Sequence, residues 1–308
     1  MSRVAMSRVA IVLMLGVWSP AVVTAQTSAD TSFAIPRNAV VDITMSTGRI
    51  TVRGGDRGTA ELRSDGLPYE LRATGVGMTL VARDDRSRGN RRRGGDGGTL
   101  DLTVPRGVRL RISAGSGDVD VRDIAGDVEV HALSGDVALQ AIGGRLVAET
   151  MSGDLSLTDG ADNARVTTMS GDITLRGVRG MADVHTTSGS VTLSMVRAAQ
   201  VQVESTSGDI GFEGDLTEDA RIQLVTHSGD VRLRLPDAAR AALEVSTFSG
   251  ELSSNRPLTL TGGSPRRRGD GDHAPQHFEL GGGGPARLSI TTFNGDVHIE
   301  RGGKRSPD

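Results

Sequence analysis

A Ser-Gly-Asp tripeptide that returns at a fixed interval constrains this chain of 308 residues more than any other feature. Exact copies or close variants begin at residues 116, 134, 152, 170, 188, 207, 228, 249 and 294, and four consecutive intervals are of 18 residues. A fixed period of this length is typical of repeat proteins, in which equivalent segments stack on one another. The chain is therefore predicted to be an array of similar structural units.

Each unit carries two short alternating segments. Apolar residues stand at the second and fourth positions after most glycines of the repeat, with polar or small residues between them, as at Val119/Val121, Val137/Leu139 and Ile173/Leu175. A second set with the same pattern starts half a period later. Period-2 alternation indicates strands with one buried face. We therefore predict an all-β fold, a parallel β-solenoid with coils of about 18 residues and two short strands each. An antiparallel β-sandwich or meander is the alternative, because nine-residue steps also suit hairpins.

The corners between strands explain why Ser, Gly and Asp recur together in each unit. Glycine adopts positive φ without steric cost, and flanking Ser and Asp side chains accept hydrogen bonds from turn N–H groups. Gly126, Gly144 and Gly180 stand midway between tripeptides and are assigned the same turning role.

The N-terminus has the features of an export signal. Arg3 and Arg8 precede an apolar run, Val9 to Val17, and small residues lead to a cleavage site after Ala25. The apolar run is shorter than the roughly 20 residues of a membrane span. Met6 repeats the context of Met1 and is an alternative start. We predict a signal peptide over 1–25, no transmembrane segment after its cleavage, and a periplasmic, extracellular or cell-surface location. The absence of cysteine excludes lipidation next to the signal and disulfides.

Three regions follow the signal peptide, and the second of them contains two loops. Residues 26–37 are predicted to be a flexible N-terminus, and a single β-repeat domain covers 38–301, with its regular part at 107–254. Two Arg/Gly-rich stretches, 86–98 and 255–285, are predicted to be loops, and 302–308 a disordered tail. The irregular N-terminal segment and the last strand pair, up to Ile299, are expected to cover the two ends of the array.

Composition argues against several function classes. Without Arg3 and Arg8, 33 basic residues face 38 acidic ones, a formal charge of −5 that does not suit a nucleic-acid binder. The one tryptophan, Trp18, lies in the predicted signal, so few aromatic rings remain to stack on bases. No nucleophile elbow, phosphate loop or Cys/His pair is present. The prediction is a protein that is not an enzyme and needs no cofactor.

Two sets of residues are candidate ligand contacts. The first is a ladder of repeat aspartates, which either caps turns or binds calcium: Asp118, Asp136, Asp154, Asp172, Asp209 and Asp230. Calcium-binding nonapeptide rolls need Gly-Gly-x-Gly-x-Asp, and this chain offers one glycine per corner, so capping is favoured. The second set comprises arginines that could contact an anionic ligand or stay solvated: Arg91, Arg92, Arg93, Arg266, Arg267 and Arg268.

A family resemblance rests on residues 100–121, LDLTVPRGVRLRISAGSGDVDV, followed by tandem Ser-Gly-Asp units. This Val-Pro-x-Gly entry into the repeat resembles the bacterial DUF4097 family, whose members are provisionally named adhesins, with a likeness over about 38–301. The resemblance implies an extracytoplasmic β-solenoid-like domain without catalytic residues. We expect an adhesin-like binding or structural module whose partner is an envelope polymer, a glycan or a cell-surface protein. An envelope-stress sensing or regulatory domain and a carbohydrate-active β-helix enzyme are the alternatives.

Overall fold

The computed structural model describes residues 10–13, 21–25, 29–65, 67–74, 76–82, 98–262 and 275–302. All regular structure in these residues is β, and none of them belongs to a helix of the length and apolarity that a membrane span needs. The chain forms two compact units, Met1–Gly153 and Asp154–Asp308. Each unit contains strands of two sheets, here called the first and the second sheet.

Unit 1 contains fourteen strands: β1 (Ala10–Leu13), β2 (Ala21–Ala25), β3 (Ala29–Ala34), β4 (Val40–Thr47), β5 (Arg49–Gly55), β6 (Thr59–Asp65), β7 (Tyr69–Ala73), β8 (Gly77–Ala82), β9 (Thr99–Pro105), β10 (Arg109–Ser116), β11 (Val119–Ile124), β12 (Val128–Ser134), β13 (Val137–Ile142) and β14 (Arg145–Ser152). The strand order is β1-β3-β6-β9-β5-β11-β13 in the first sheet and β2-β7-β8-β4-β10-β12-β14 in the second.

Unit 2 contains fifteen strands: β15 (Leu155–Thr158), β16 (Asn163–Ser170), β17 (Ile173–Arg176), β18 (Met181–Ser188), β19 (Val191–Val196), β20 (Gln200–Ser207), β21 (Ile210–Gly214), β22 (Arg221–Ser228), β23 (Val231–Leu235), β24 (Ala241–Ser249), β25 (Leu252–Ser254), β26 (Leu258–Gly262), β27 (Gln276–Leu280), β28 (Ala286–Asn294) and β29 (Val297–Arg301). The order is β15-β17-β19-β21-β23-β29-β25 in the first sheet and β16-β18-β20-β22-β28-β24-β27-β26 in the second.

The regular coils stack in parallel and in register, which confirms the predicted solenoid. Leu110 is the partner of Val128 and Val128 that of Leu146, so the step between stacked residues is one sequence period. In the other sheet Val119 stands beside Val137. Among the described strands, antiparallel pairing is confined to β2, β3, β6, β7, β8 and β9 in unit 1 and to β24, β26 and β27 in unit 2. The sandwich alternative is therefore wrong for the repeats.

The core consists of columns of small and branched side chains. The apolar pairs predicted from the alternation are buried, as Val128 and Val130 illustrate. Strands of the second sheet bury a third position as well, which is Ala132 in β12, Thr168 in β16 and Thr186 in β18. Because each column repeats the same position of every coil, like residues stack on like and the thin interior is filled evenly.

The second corner of each coil differs from the prediction. Its left-handed residues are Asp123, Ala141, Asp159, Gly177 and Met195, with φ between 53° and 86°. Gly126 is needed for a different reason: a Cβ there would lie 2.1 Å from the carbonyl oxygen of Val108 in the neighbouring coil. The assignment of Gly126, Gly144 and Gly180 to a positive-φ turn is therefore wrong, and close approach of stacked backbones explains them.

The left-handed residue also shifts the alternation. Val119 and Val121 are buried two residues apart, but the next buried residue of β11 is Ile124, because Asp123 turns the chain. Ile124 stands beside Ile142, and Val178 and Val196 hold the same place in unit 2. A strict period-2 analysis does not identify this column.

The segment before residue 38 is more ordered than predicted. β3 pairs with β6, and Phe33 and Ile35 are buried, so the expectation of a flexible stretch over 26–37 is wrong from Ala29 onward. Its short alternation of Thr31, Phe33 and Ile35 supplies the buried face. β1 and β2 lie in the predicted signal peptide, so cleavage after Ala25 would leave β3 and β7 as the outermost strands of unit 1.

Both ends of the array depart from simple chain order. In unit 1, β4 lies between β8 and β10, and β5 lies between β9 and β11. In unit 2, β28 lies between β22 and β24, and β29 lies between β23 and β25. The expectation that the last strand pair covers the end is wrong, because β28 and β29 are inserted one coil inside it. A chain terminus held between two coils is protected from fraying.

The second insertion, 255–285, is a loop only in part, since it contributes β26 and β27 to an antiparallel hairpin beside β24. Most of the 86–98 stretch and nearly all of the 302–308 tail lie outside the described residues.

Candidate functional site

The repeat aspartates link successive coils. The Oδ1 atom of Asp154 accepts the backbone N–H of Asp172 at 2.9 Å, and Asp172 accepts that of Ser190 at 2.8 Å. Asp209 likewise accepts the N–H of Asp230 at 2.9 Å. The ladder thus satisfies corner N–H groups that no strand partner reaches.

Asp118 of this ladder has a further partner, since Arg49 Nη2 donates to its Oδ2 at 2.8 Å. That bond is the main cause of a lowered pKa of Asp118, assisted by the N–H of Asp136 and opposed by partial burial. Across the described ranges, no three His, Cys, Asp or Glu side chains form a group that could hold a metal ion. Calcium binding by the ladder remains a prediction, which a comparison of melting temperatures in EDTA and in calcium would test.

Charged clusters cover the outer face of the second sheet. In unit 1, Arg111 contacts Glu129 at 3.1 Å, and His131 lies 3.0 Å from both Glu129 and Glu149. The hydrogen bond with Glu129 is the main cause of a raised pKa of His131, and burial opposes it; the same bond lowers the pKa of Glu129.

The same cluster recurs in unit 2 at positions 54 or 55 residues later. Arg165 contacts Asp183 at 2.9 Å, and His185 lies 2.8 Å from Asp183 and 3.2 Å from Glu204. The repeat of the backbone is thus accompanied by a repeat of surface charge. The spacing of His131 and His185, three periods of 18 residues, is a signal that the sequence itself contains.

These clusters follow a registry rule, in which an arginine pairs with an acidic residue that stands directly beside it on the neighbouring strand. Arg111 stands directly beside Glu129, Arg165 beside Asp183, and Arg234 beside Glu300, and each pair forms an ion pair. Opposite charges at facing positions stabilise a sheet, and like charges there destabilise it. An arginine is also neutralised by an acidic residue two positions along the same strand, as Arg122 is by Asp120.

A depression of about 630 Å³ lies on the outer face of the second sheet in unit 2. Strands β20, β22, β28 and β24 form its floor, and the hairpin of β26 and β27 contributes Thr261 and His277. We call this depression the polar groove. Its volume is in the range of roughly 300–1,000 Å³ that is common for ligand sites.

The polar groove breaks the registry rule. Arg221 stands directly beside Arg287, and in the ordered part of the chain neither guanidinium has a carboxylate within ion-pair distance. The neighbour of Arg221 on its other side is Gln200, and that of Arg287 is Ala242. Two adjacent cations without counter-charge are the least compensated part of this face. Sequence reasoning missed them, because their pairing depends on the insertion of β28 beside β22.

The arginines predicted from the sequence, Arg91 to Arg93 and Arg266 to Arg268, lie outside the described residues. The second group belongs to the segment between β26 and β27, both of which border the polar groove. The structure therefore leaves their role as a prediction.

An aromatic stack occupies the corner edge of unit 2. Phe293 stacks on His227 with ring centroids 4.8 Å apart and on Phe248 at 4.4 Å. All three residues directly precede a Ser-Gly-Asp variant and stand at equivalent positions of β22, β28 and β24. The exposed Met169 has the same position in β16. This edge column is a second feature that the sequence analysis did not single out.

Comparison with known proteins gives one family match and several solved structures of low identity. The sequence profile of a family described as Toastrack DUF4097 matches residues 70–300. A solved structure from Bacteroides fragilis, provisionally named an adhesin, is 15% identical, covers 90% of this chain and 98% of its own, and has a TM-score of 0.42. One from Parabacteroides distasonis, provisionally named a lipid binding protein, is 12% identical, with coverages of 95% and 99% and a TM-score of 0.44. One from Clostridium sporogenes, provisionally named a cell adhesion protein, is 9% identical, with coverages of 89% and 100% and a TM-score of 0.29. No curated protein matches the sequence.

Proposed function

Since the chain belongs to the Toastrack DUF4097 family, we propose that it is an exported, non-enzymatic binding module that attaches to a polymer of the cell envelope or cell surface. The observation that carries the proposal is the polar groove, whose paired arginines have no counter-charge among the described residues. A surface of this kind gains most from a ligand that supplies the missing charge.

The rigid scaffold supports a binding role. Side chains on the outer face of a stacked sheet recur at about 4.8 Å, the distance between neighbouring strands, and the strand backbones are fixed by bonds on both sides. Such a surface presents rows of polar groups whose positions do not change on binding, which lowers the entropic cost of association. Extended polymers with repeated functional groups are the ligands that such rows suit.

The export signal supports the proposed compartment. Cleavage after Ala25 would release a chain that begins at Gln26 and carries no cysteine for lipidation. Fractionation of an expressing bacterium, with N-terminal sequencing of the product, should find a chain starting at Gln26 outside the cytoplasm. Full-length protein retained in the cytoplasm would refute this part of the proposal.

A sedimentation experiment tests the binding role. The exported protein is mixed with purified cell envelopes, with isolated peptidoglycan and with intact cells, and the pelleted fraction is measured against protein concentration. We expect saturable sedimentation with at least one of these materials, weakened by high salt because the contact is charged. Folded protein that stays in the supernatant with all three would overturn the proposal. A partner restricted to one membrane protein would instead favour the alternative of a sensing domain.

A further inference from the structure

The unneutralised pair Arg221 and Arg287 is the starting point. Elsewhere in unit 2, two arginines face an acidic residue on the neighbouring strand and pair with it, Arg165 with Asp183 at 2.9 Å and Arg234 with Glu300 at 2.8 Å. In unit 1, Arg53 faces Arg122, and the repulsion between the two cations is offset because Arg122 forms an ion pair with Asp120. Two facing cations without such relief destabilise the free protein, and an anion placed between them removes that cost.

Uncharged polar groups extend the groove on one side of this pair. Gln200 faces Arg221 on the neighbouring strand, and Gln202 and Gln223 face each other in the next row of outward positions. A primary amide offers two donors and an acceptor, so a row of amides suits a ligand with many hydroxyl groups rather than a bare ion.

Acidic residues lie on the other side. Ala242 stands beside Arg287 on the neighbouring strand, and Glu279 stands beside Ala242 on the strand after that. In the next row of outward positions, Glu244 stands beside Ser289. In the ordered chain neither carboxylate forms an ion pair with the groove arginines. Free carboxylates accept hydrogen bonds from hydroxyl groups, and they repel a ligand that carries negative charge along its whole length.

The lining disfavours nucleic acid. Phe278 is the one aromatic carbon ring among the groove residues, and it is half-buried, so no platform exists on which successive bases could stack. Phosphates spaced at every residue of such a polymer would also meet Glu244 and Glu279.

We propose that the polar groove binds an acidic polysaccharide, with one anionic group of the sugar chain on Arg221 and Arg287 and hydroxyl groups on Gln200, Gln223 and Glu244. This site rests on the proposed function, since it specifies the class of polymer that the module recognises. Carboxylate and sulfate are both compatible with two guanidinium groups, and they are distinguished by experiment.

The test measures affinity for defined polymers by calorimetry or affinity electrophoresis. Hyaluronate supplies a carboxylate on every second sugar, κ-carrageenan supplies a sulfate on every second sugar, dextran is an uncharged polysaccharide, and polyglutamate is a polyanion without sugar hydroxyls. The proteins compared are the wild type, the double variant Arg221→Gln/Arg287→Gln, and Arg176→Gln. Arg176 is an exposed arginine on the first sheet of the same unit, without an ion pair in the ordered structure, and serves as the matched control. Urea unfolding verifies that all three proteins are equally folded.

We expect binding to hyaluronate or κ-carrageenan, none to dextran, and a loss of about tenfold or more in the double variant but not in Arg176→Gln. Equal affinity of the wild type and the double variant would overturn the site. Polyglutamate bound as tightly as the acidic polysaccharides would overturn the ligand class in favour of an acidic peptide. No binding to any acidic polysaccharide, with sedimentation on envelopes retained, would refute this inference and leave the proposed function standing.

Discussion

At the scale of single residues, the glycine of the Ser-Gly-Asp corner meets two demands at once. Gly229 has a φ of 142°, and a Cβ at this position would lie 2.3 Å from the carbonyl oxygen of Gly208 in the neighbouring coil. The first demand is backbone conformation and the second is the close stacking of corners. A side chain at this position would therefore disturb its own corner and the one beside it.

The substitution Gly229→Ala is predicted to destabilise the protein by about 3 kcal/mol, because a left-handed conformation alone costs roughly 1–2 kcal/mol for an L-residue. Gly211→Ala is the control, since its added Cβ would meet nothing closer than 3.9 Å and φ there is not positive. Urea unfolding should show a lower midpoint for the first variant and an unchanged or slightly higher one for the second. Equal midpoints would contradict the explanation that both backbone conformation and the stacking of corners require glycine at this position.

The charge cluster around His131 makes stability depend on pH. The pKa of His131 is raised above its ordinary 6.5, so its contribution is full below that value and is lost as pH rises through the folded-state pKa. The pKa of Glu129 is lowered below its ordinary 4.5, so its contribution is present above that value and is lost as pH falls through the folded-state pKa. The cluster should therefore stabilise most between these two ordinary values.

The variant His131→Gln tests this dependence. These side chains are about half exposed, so the expected difference in unfolding free energy is small, about 0.2–1 kcal/mol near pH 5.5. It should shrink at about pH 8.5 and in roughly 1 M salt, which screens exposed charges. A difference that is constant across pH would mean that His131 acts through packing rather than charge.

At the scale of elements, one buried arginine fastens the end of unit 2. Arg256 follows β25, is 8% exposed, and its Nη2 donates to the carbonyl oxygens of Asp237 at 3.0 Å and Ala239 at 3.3 Å. Burial lowers the pKa of this arginine from its ordinary value, opposed by the nearby Asp237. The contact joins the turn before β24 to the segment after β25, so both ends of the last coil are held by one side chain.

Replacing Arg256 with leucine should destabilise this end, because the buried carbonyl group of Ala239 and the partly buried one of Asp237 lose their donor, and an unsatisfied buried group costs about 1–3 kcal/mol. Limited proteolysis should then cleave the chain near residues 236–262 faster than in the wild type, while Arg176→Leu leaves the rate unchanged. An unchanged rate for the Arg256 variant would show that β28 and β29 alone hold the last coil.

Strand positions were predictable where local pattern decides them. Val119, Val121 and their equivalents could be assigned to the core, because stacking in register keeps every coil on the same alternation. Ile124 and its column could not, since a left-handed residue shifts the phase, and at equivalent corners that residue is Ala141 or Met195, types that rarely adopt this conformation. The insertion of β28 beside β22 was equally unpredictable, because β24 and β28 carry the same pattern and either could follow β22.

At the scale of the whole molecule, the candidate site depends on that inserted strand. Arg221 and Arg287 are 66 positions apart in the sequence and face each other only because the C-terminal coil is inserted before the end of the array. The sequence did indicate a cysteine-free, exported all-β repeat protein without catalytic motifs, and it directed attention to arginines. It could not indicate which arginines lack a counter-charge, since that depends on strand neighbours.

The most direct test of this account is arginine footprinting of the exported protein with bound acidic polysaccharide. Phenylglyoxal labelling, read by mass spectrometry, measures how far each guanidinium is protected. We predict that Arg221 and Arg287 are protected together by hyaluronate or κ-carrageenan and remain reactive with dextran, while Arg176 stays reactive throughout. Protection of Arg176 to the same degree, or continued reactivity of Arg221 and Arg287 at saturating polymer, would contradict a binding site in the polar groove.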